Sequence, residues 1–585
     1  MTILQSLARA YERLPEAPPP GYSMQPIGLV IGLNEDGSVA SFADWRDTSG
    51  KKPKARPMPV PQPVKRTAGI APNFLWDKTS YVLGVTAGAG KRTAEEHEAF
   101  VDHHRKALAG TEDPGLLAFL RFLEAWTPDQ FEALGWPDEV KDENVVFALE
   151  SDRRQSLFLH DRPAAKALWA RLGAEGDKTR AVCLVSGEEA PVARLHPAIK
   201  GVWGAQSSGA SIVSFNLDAF ESYGHEQGDN APVSEAAAFA YTTALNRFLE
   251  KDSGHRIQIG DASTVFWAEA KDGNADKETL AEAIFDGLFA GVDEEVEAKK
   301  VGIVLEAIRK GLPVKEVAPD LAEGVRFYVL GLAPNAARIS IRFWLVDDFG
   351  VIASRYQRYL ADIAVEPGPR EAFPGLWRYL QELAVQGKRE NVPPNLAGDW
   401  MRSILAGTPY PMTLLSTVLM RVRADKTVNA FRAGLLKAVL VRNFNREGIP
   451  VALDETWSDK GYLLGRLFAV YEQIQRRALG GNVNATIKDK YFGAASSQPR
   501  KVFAFLDTGS ANHLSKIGKE NPGAMINLTR AVEAIMDQME PGADPYPVSL
   551  STEEQAQFVL GYHHQHSDFF KSRKEETPVA EENAQ

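Results

Sequence analysis

In "VDHHRKAL" an aspartate precedes two adjacent histidines, Asp102, His103 and His104, residue types that bind divalent metals in phosphohydrolases. Such a centre needs further His and Asp ligands at suitable spacing, and the neighbouring sequence supplies none, so the competing reading is a solvated pair on a polar helix face. "GYHHQH" offers His563, His564 and His566 at what reads as a helix end, where histidine interacts well with exposed carbonyls and the dipole. "YVLGVTAGAGKRTAEEHEAF" brings Gly90 and Lys91 after a glycine-rich turn, but a phosphate loop of the form G-x-x-x-x-G-K-[ST] would need glycine in place of Val85 and a hydroxyl in place of Arg92. The stretch reads instead as a strand end and turn before a helix starting near Thr93, with Glu96 placed for a capping box. No G-x-S-x-G elbow, H-E-x-x-H helix or kinase signature occurs. The sequence does not read as that of an enzyme, and nothing in it calls for a cofactor or a metal.

Two loops are better suited to binding. "AGIAPNFLWDKTS" sets the Asn73 amide beside the Phe74 ring just after a basic stretch, a combination that suits a minor-groove reader. "VWGAQSSGASIVSFN" places Gln206, Ser207 and Ser208 between Gly204 and Gly209, so short polar side chains and bare amides can approach a phosphate or base edge. The alternative for both is turn chemistry, with Phe74 and Trp203 in the core. The net charge of −11 argues against a nucleic-acid partner, yet the charge is segregated. Between Phe42 and Thr67 seven cations (Arg46, Lys51, Lys52, Lys54, Arg56, Lys65, Arg66) face only Asp44 and Asp47, and from Met420 to Glu520 seventeen Lys and Arg face nine Asp and Glu. That distribution fits a protein tracking phosphate backbones on selected faces, ordinary solvated faces being the alternative.

These residues need elements to hold them. The 585 residues, 44% hydrophobic, allow two to four domains with substantial cores. Cys183, the single cysteine, excludes an internal disulfide framework and suits a reducing cytosol. The first residues lack a basic region followed by an apolar core, and no apolar run nears the roughly 18 residues that span a bilayer, so the expectation is a soluble cytoplasmic protein. "ILQSLARAYERL" has helical spacing, "QPIGLVIGLNEDGSVASFADW" reads as two strands around Asn34–Gly37, and "KKPKARPMPVPQPVKR" has too many prolines for a helix or inner strand and reads as an exposed, extended arm. "TAGIAPNFLWDKTSYVLGV" resumes strand character, and two helices follow between Ala94 and Arg121. "RIQIGDASTVFWAEA" and "VRFYVLGLAPNAARISIRFWLVDD" are strand patterns, separated by acidic helical stretches that read as a peripheral insertion. From about Gly375 the pattern is helical. The expected fold is α+β: a mixed domain over 1–235 that carries motif recognition, middle strands with the acidic insertion over 236–374, a helical bundle over 375–570 and a disordered tail over 571–585.

Several long stretches resemble one family, the large subunit of the type I-C CRISPR Cascade surveillance complex: "ILQSLARAYERL", "PNFLWDKTSYVLG", "VWGAQSSGASIVSFNLDAFESYGHEQGDNAPVSEAAAFAYTTALNRFL", "STVFWAEA", "YVLGLAPNAARISIRFW" and "GYLLGRLFAVYEQIQRRALGGNVNATIKDKYFGAASSQP". The resemblance implies a non-enzymatic role in RNA-guided DNA interference. The subunit would recognise the protospacer-adjacent motif in duplex DNA, help open the duplex, steady the displaced strand and receive a separate helicase-nuclease, further sequence reading being delegated to guide-RNA pairing. Implied partners are guide RNA, double-stranded and displaced single-stranded DNA, and the backbone, guide-handle and small subunits of the complex. The helical part would also be made separately from an internal start, for which Met401, Met412 and Met420 are candidates. On this footing Asn73, Phe74, Gln206, Ser207 and Ser208 are the expected motif readers. Lys51, Lys52, Lys54, Lys65, Arg66, Lys91 and Arg92 are expected duplex phosphate contacts, and Arg421, Arg423, Arg442, Lys488 and Lys490 expected contacts to the displaced strand. A metal-dependent nuclease using Asp102, His103 and His104 is the alternative.

Overall fold

The computed structural model describes every residue except 1, 16, 51, 65, 67–68, 175–178, 260–261, 291–299, 394–395, 481–484, 541–543 and 572–585. Lys51, Lys65 and the tail after Lys571 therefore lie outside the described residues. Mixed sheets and helices occupy the chain to about residue 350, and a mostly helical region runs from about 376 to 568, an α+β architecture. The chain divides into two compact units, one of Met1–Ala198 with Val213–Asn246 and one of Ile199–Ile212 with Arg247–Gln585.

The first unit is built on strands β1 (Tyr22–Ile27), β2 (Leu29–Leu33), β3 (Val39–Asp44), β4 (Arg56–Pro61), β5 (Trp76–Lys78) and β6 (Asn144–Leu149), with β7 (Arg180–Val182) and β8 (Glu189–Pro191) paired as a separate short ribbon. Four of them form a sheet in the order β3-β2-β6-β5, with β2 and β6 parallel. Both parallel strands are buried on both faces, and their alternation divides the core: Leu29, Ile31, Val145 and Phe147 meet the helices Thr93–Ala107 and Pro114–Ala125, while Val30, Val146 and Ala148 face the opposite side. The proline-rich stretch is not an exposed arm. Its Arg56–Pro61 portion pairs antiparallel with β1, with Pro57 opposite Pro26, Pro59 opposite Met24 and Pro61 opposite Tyr22. Only alternate residues of an antiparallel strand bond to a given neighbour, so prolines at every second position fall where no N–H is required, and Met58 and Val60 between them are buried. Lys52 and Lys54 precede this strand in a loop closed by the Asp47–Lys54 bridge. Two further expectations fail locally. Strand character after Phe74 lasts only from Trp76 to Lys78 before a helical turn at Thr79–Val82, and helix Thr93–Ala107 begins without a side-chain cap.

In the second unit β9 (Arg256–Ile259), β10 (Ala262–Ala270), β11 (Val325–Asn335) and β12 (Arg338–Asp348) form an antiparallel sheet in the order β12-β11-β10-β9. The acidic stretch is no peripheral insertion. Helix Ala275–Ala290 sends Ala281, Ile284, Phe285, Leu288 and Phe289 into the core under the sheet, and Lys300–Arg309 adds Val304, Leu305 and Ile308, while Glu278 and Glu282 accept from the Ala270 and Ala268 amides of β10 at 2.8 Å each. The same core continues through the helical region. Its tightest contact joins helices Lys460–Leu479 and Thr552–Asp568, where a methyl on Gly465 would stand 2.0 Å from the Phe558 carbonyl oxygen and one on Gly561 2.2 Å from that of Tyr462. Glycine is required there by backbone contact.

Candidate nucleic-acid interface

Of the histidine pair, His104 is structural. His104 is fully buried, accepts from the Leu75 amide through Nε2 at 2.8 Å and meets the Phe100 carbonyl through Nδ1 at 2.8 Å, so both ring nitrogens are engaged in the neutral tautomer protonated at Nδ1. Burial, helped by the neighbouring His103, holds its pKa down at about 3. Asp102 pairs with Arg105 at 2.8 Å on the exposed face. At the other end of the chain His563 and His564 are buried within helix Thr552–Asp568, with Tyr462 Oη 3.0 Å from His564 Nδ1. Among the described residues no group of three or more His, Cys, Asp or Glu is arranged to hold a metal ion.

His104 also supports the Asn73 loop. Asn73 and Phe74 are buried, with Phe74 stacked on His104 and on Trp169 at centroid separations of 5.9 and 5.4 Å. The Asn73 side-chain oxygen accepts from the Val64 amide at 3.0 Å, and its own N–H donates to Asp77 at 2.8 Å. Leu75 beside it takes φ 63°, a left-handed conformation rarely held by a branched residue without surrounding support. Asp77 also accepts from Arg66, whose guanidinium lies 4.1 Å from the Tyr81 ring centre. Burial pushes the Asp77 carboxyl up from its ordinary value, and Arg66 opposes that rise. Here an amide and a cation that looked available for DNA satisfy a backbone N–H and a buried carboxylate, and the neighbouring ring is stacked inside the unit.

Arg66 nevertheless edges an open cleft of about 490 Å³ that it lines with Lys78, Lys91 and Arg92, opposed by Glu96 and Asp142. Lys78, Lys91 and Arg92 are exposed, and Ser80, Thr86 and Thr93 add hydroxyls to the walls. The broken phosphate loop thus contributes its cations to an anion-favouring concavity. Sequence reasoning missed Lys78. The signal was its position at the end of β5, where the chain turns into the helical Thr79–Val82 segment and leaves the side chain outside.

The second loop is organised differently. Residues 199–212 belong to the second unit, where Ile199 and Ala210 exchange two backbone hydrogen bonds of 2.8 Å and close the loop at its base. Internal bonds from Gly209 N to Gln206 O (2.9 Å) and Ala205 N to Val202 O (3.1 Å) tighten it, with Gly201, Gly204 and Gly209 at φ 85°, 74° and 96°. Ser211 bonds to Ala337 and Ile339 at the β11–β12 turn, which mounts the loop on a rigid hairpin. Gln206, Ser207 and Ser208 are exposed, and Trp203, far from entering the core, is 61% exposed while its backbone N–H donates to Ser263 Oγ at 2.9 Å.

Across residues 7–570 the chain matches the model of the family described as CRISPR-associated protein (Cas_Csd1). It belongs to that family. No curated protein matches it. Cas_Csd1 proteins are the non-catalytic large subunit of type I-C Cascade, and membership places this chain in a Cascade-like ribonucleoprotein complex. Nothing supports the nuclease alternative. No described helix is long and apolar enough to cross a membrane.

For a Cas_Csd1 subunit the basic bundle is the remaining surface of interest, and part of its charge is internal. Arg421, Arg432, Lys437, Arg442 and Arg466 are buried, which leaves twelve cations against nine acids outside the core between Met420 and Glu520. Arg442 binds Asp362 through Nε at 2.8 Å and lies 4.1 Å from the Tyr410 ring centre, with Tyr410 Oη donating to the same carboxylate at 2.9 Å. Arg421 pairs with Asp425. Lys488 sits 4.8 Å from the Tyr562 ring centre, and its burial lowers its pKa. Arg423 and Lys490 are exposed, the former bonded to Gln555. Arg421 and Arg442, expected at a strand-binding surface, therefore sit inside the bundle because each has a carboxylate to neutralise it there.

Proposed function

We propose that this subunit recognises the protospacer-adjacent motif in duplex DNA through the loop from Trp203 to Ser208, aids R-loop formation, and contributes a landing surface for the helicase-nuclease. The observation that carries the reading is the rigid mounting and outward presentation of Trp203, Gln206, Ser207 and Ser208. Gln206 can donate to and accept from base edges, the serines and bare amides can meet phosphate or sugar, and the Trp203 ring is a wedge for an adjacent base step. For Asn73 and Phe74 the geometry favours a supporting part, fixing the loop that carries Arg66. Lys78, Lys91, Arg92 and Arg66 in the first unit, with Lys52 and Lys54 on the Asp47–Lys54 loop, hold duplex phosphates without reading sequence, and Lys490 and Arg423 hold the displaced strand. Guide RNA, the backbone, guide-handle and small subunits, and the helicase-nuclease are the partners of this reading, which belongs to the cytoplasm.

The test compares assembled complexes carrying parent chain or the combined Gln206→Ala, Ser207→Ala and Ser208→Ala substitutions on matched and motif-mismatched duplexes. The reading expects the preference for the correct motif to fall by about 1–3 kcal/mol with unchanged complex assembly. An unchanged preference would remove the loop from recognition.

A further inference from the structure

Phe505 is 62% exposed near the start of helix Phe503–Glu520, while Phe503 on the same turn is fully buried and stacked on Tyr546 at 5.2 Å. Its ring neighbour is Tyr491 of helix Ile487–Ala495, 5.6 Å away between centroids and inclined at 54°. Tyr491 is half-buried and packs against the main core, so it anchors the exposed ring beside it. A single exposed apolar side chain needs no explanation. The setting of this one does. Lys490 adjoins Tyr491, and Arg500 and Lys501 occupy the short connection between the two helices, all three exposed. The nearby acids are engaged: Asp489 accepts from the Thr486 amide and hydroxyl at 2.9 Å each, Asp507 accepts from Tyr471 Oη at 2.9 Å, and Asp544 pairs with Arg500. Lys490 and Lys501 thus stand close in sequence to the aromatic pair, Lys490 beside Tyr491 and Lys501 four residues before Phe505, and with Arg500 they outnumber the two nearby carboxylates, Asp489 and Asp507, that carry no cation partner of their own among the described residues.

We propose that Tyr491 and Phe505 form a base-stacking platform for single-stranded nucleic acid, with Lys490 and Lys501 tracking its phosphates. In a duplex each base already stacks on its neighbours, so an isolated ring gains nothing from it. An unpaired strand offers free π-faces of every base, and an aromatic side chain bordered by cations binds them with little regard to sequence. The inference rests on the reading that the helical region contacts the displaced strand, and it adds which side chains take the bases.

The experiment measures binding of a labelled oligothymidylate to the assembled complex over a range of salt concentrations. Phe505→Ala is expected to weaken binding about tenfold, as loss of stacking on one base would, with no change in salt slope because no charge is removed. Phe505→Trp should bind like the parent, and Phe505→Leu should be as weak as the alanine variant. Lys490→Ala with Lys501→Ala should lower the slope by about one unit for each phosphate no longer neutralised. If the lysine variant weakens binding while Phe505→Ala or Phe505→Leu binds like the parent, the platform is overturned and strand holding stands. If neither set changes binding, the strand-holding reading falls with it. If Phe505→Ala leaves oligothymidylate affinity intact but releases the chain from the complex on size-exclusion chromatography, the ring is a protein contact and the proposal fails.

Discussion

The Asn73 and Gln206 loops have similar polar, turn-forming compositions and opposite uses. In the first, backbone groups without a sheet partner are satisfied by side chains: Val64 N by Asn73, Asn73 N by Asp77 and Leu75 N by His104. In the second, apart from the Trp203 amide bonded to Ser263 Oγ, glycines in left-handed conformations let the backbone bond to backbone, and the Gln206, Ser207 and Ser208 side chains are left outside. The difference lies in which groups satisfy the backbone, and it decides whether a polar side chain is available to a partner. The bundle repeats the contrast, with Arg442 spent on Asp362 and Lys490 turned to solvent.

The largest effect is expected where an inward charge is removed. Arg442→Met leaves Asp362 buried with Tyr410 as its one side-chain donor among the described residues, and the unit should lose about 3–5 kcal/mol, read as a lower denaturant midpoint. A loss below about 1 kcal/mol would mean that Arg442 is not held as described and would weaken the contrast. Asn73→Ala removes the acceptor for the Val64 amide and should cost about 1 kcal/mol of stability by the same measurement. No loss would return Asn73 to the exposed class. Smallest in stability, within about 0.5 kcal/mol of the parent, are Lys91→Ala and Arg92→Ala. Their signature is electrostatic: the salt slope of duplex binding should fall by about one unit for each cation removed, equally for matched and mismatched motifs. A change in motif preference would make the cleft a reader of sequence.

Much of this was legible in the sequence. Apolar runs bounded by turn residues gave β2, β3 and the β11–β12 hairpin, because β2 and β11 are deeply buried, and helical spacing gave the bundle. The prolines of β4 misled because their two-residue phase matters more than their number. The acidic helix misled because charge counts ignore the face opposite. At the candidate site, residue types alone marked both loops, but long-range partners separated them: His104 stands 29 residues from Leu75, and Asp362 stands 80 from Arg442. No local pattern announces such pairings. Trp203 shows the converse, since a tryptophan beside glycines reads as core until the loop is seen closed beneath it.

The most direct test of the outward-loop account sets Gln206→Ala against Asn73→Ala in the same assembled complex and measures, for each, the ratio of affinities for matched and mismatched motif duplexes. The account predicts that Gln206→Ala lowers this ratio about tenfold, within the usual cost of losing one hydrogen-bonded base edge, while Asn73→Ala keeps the parent ratio despite its lower stability. The reverse pattern, with the ratio lost in Asn73→Ala and kept in Gln206→Ala, would contradict it.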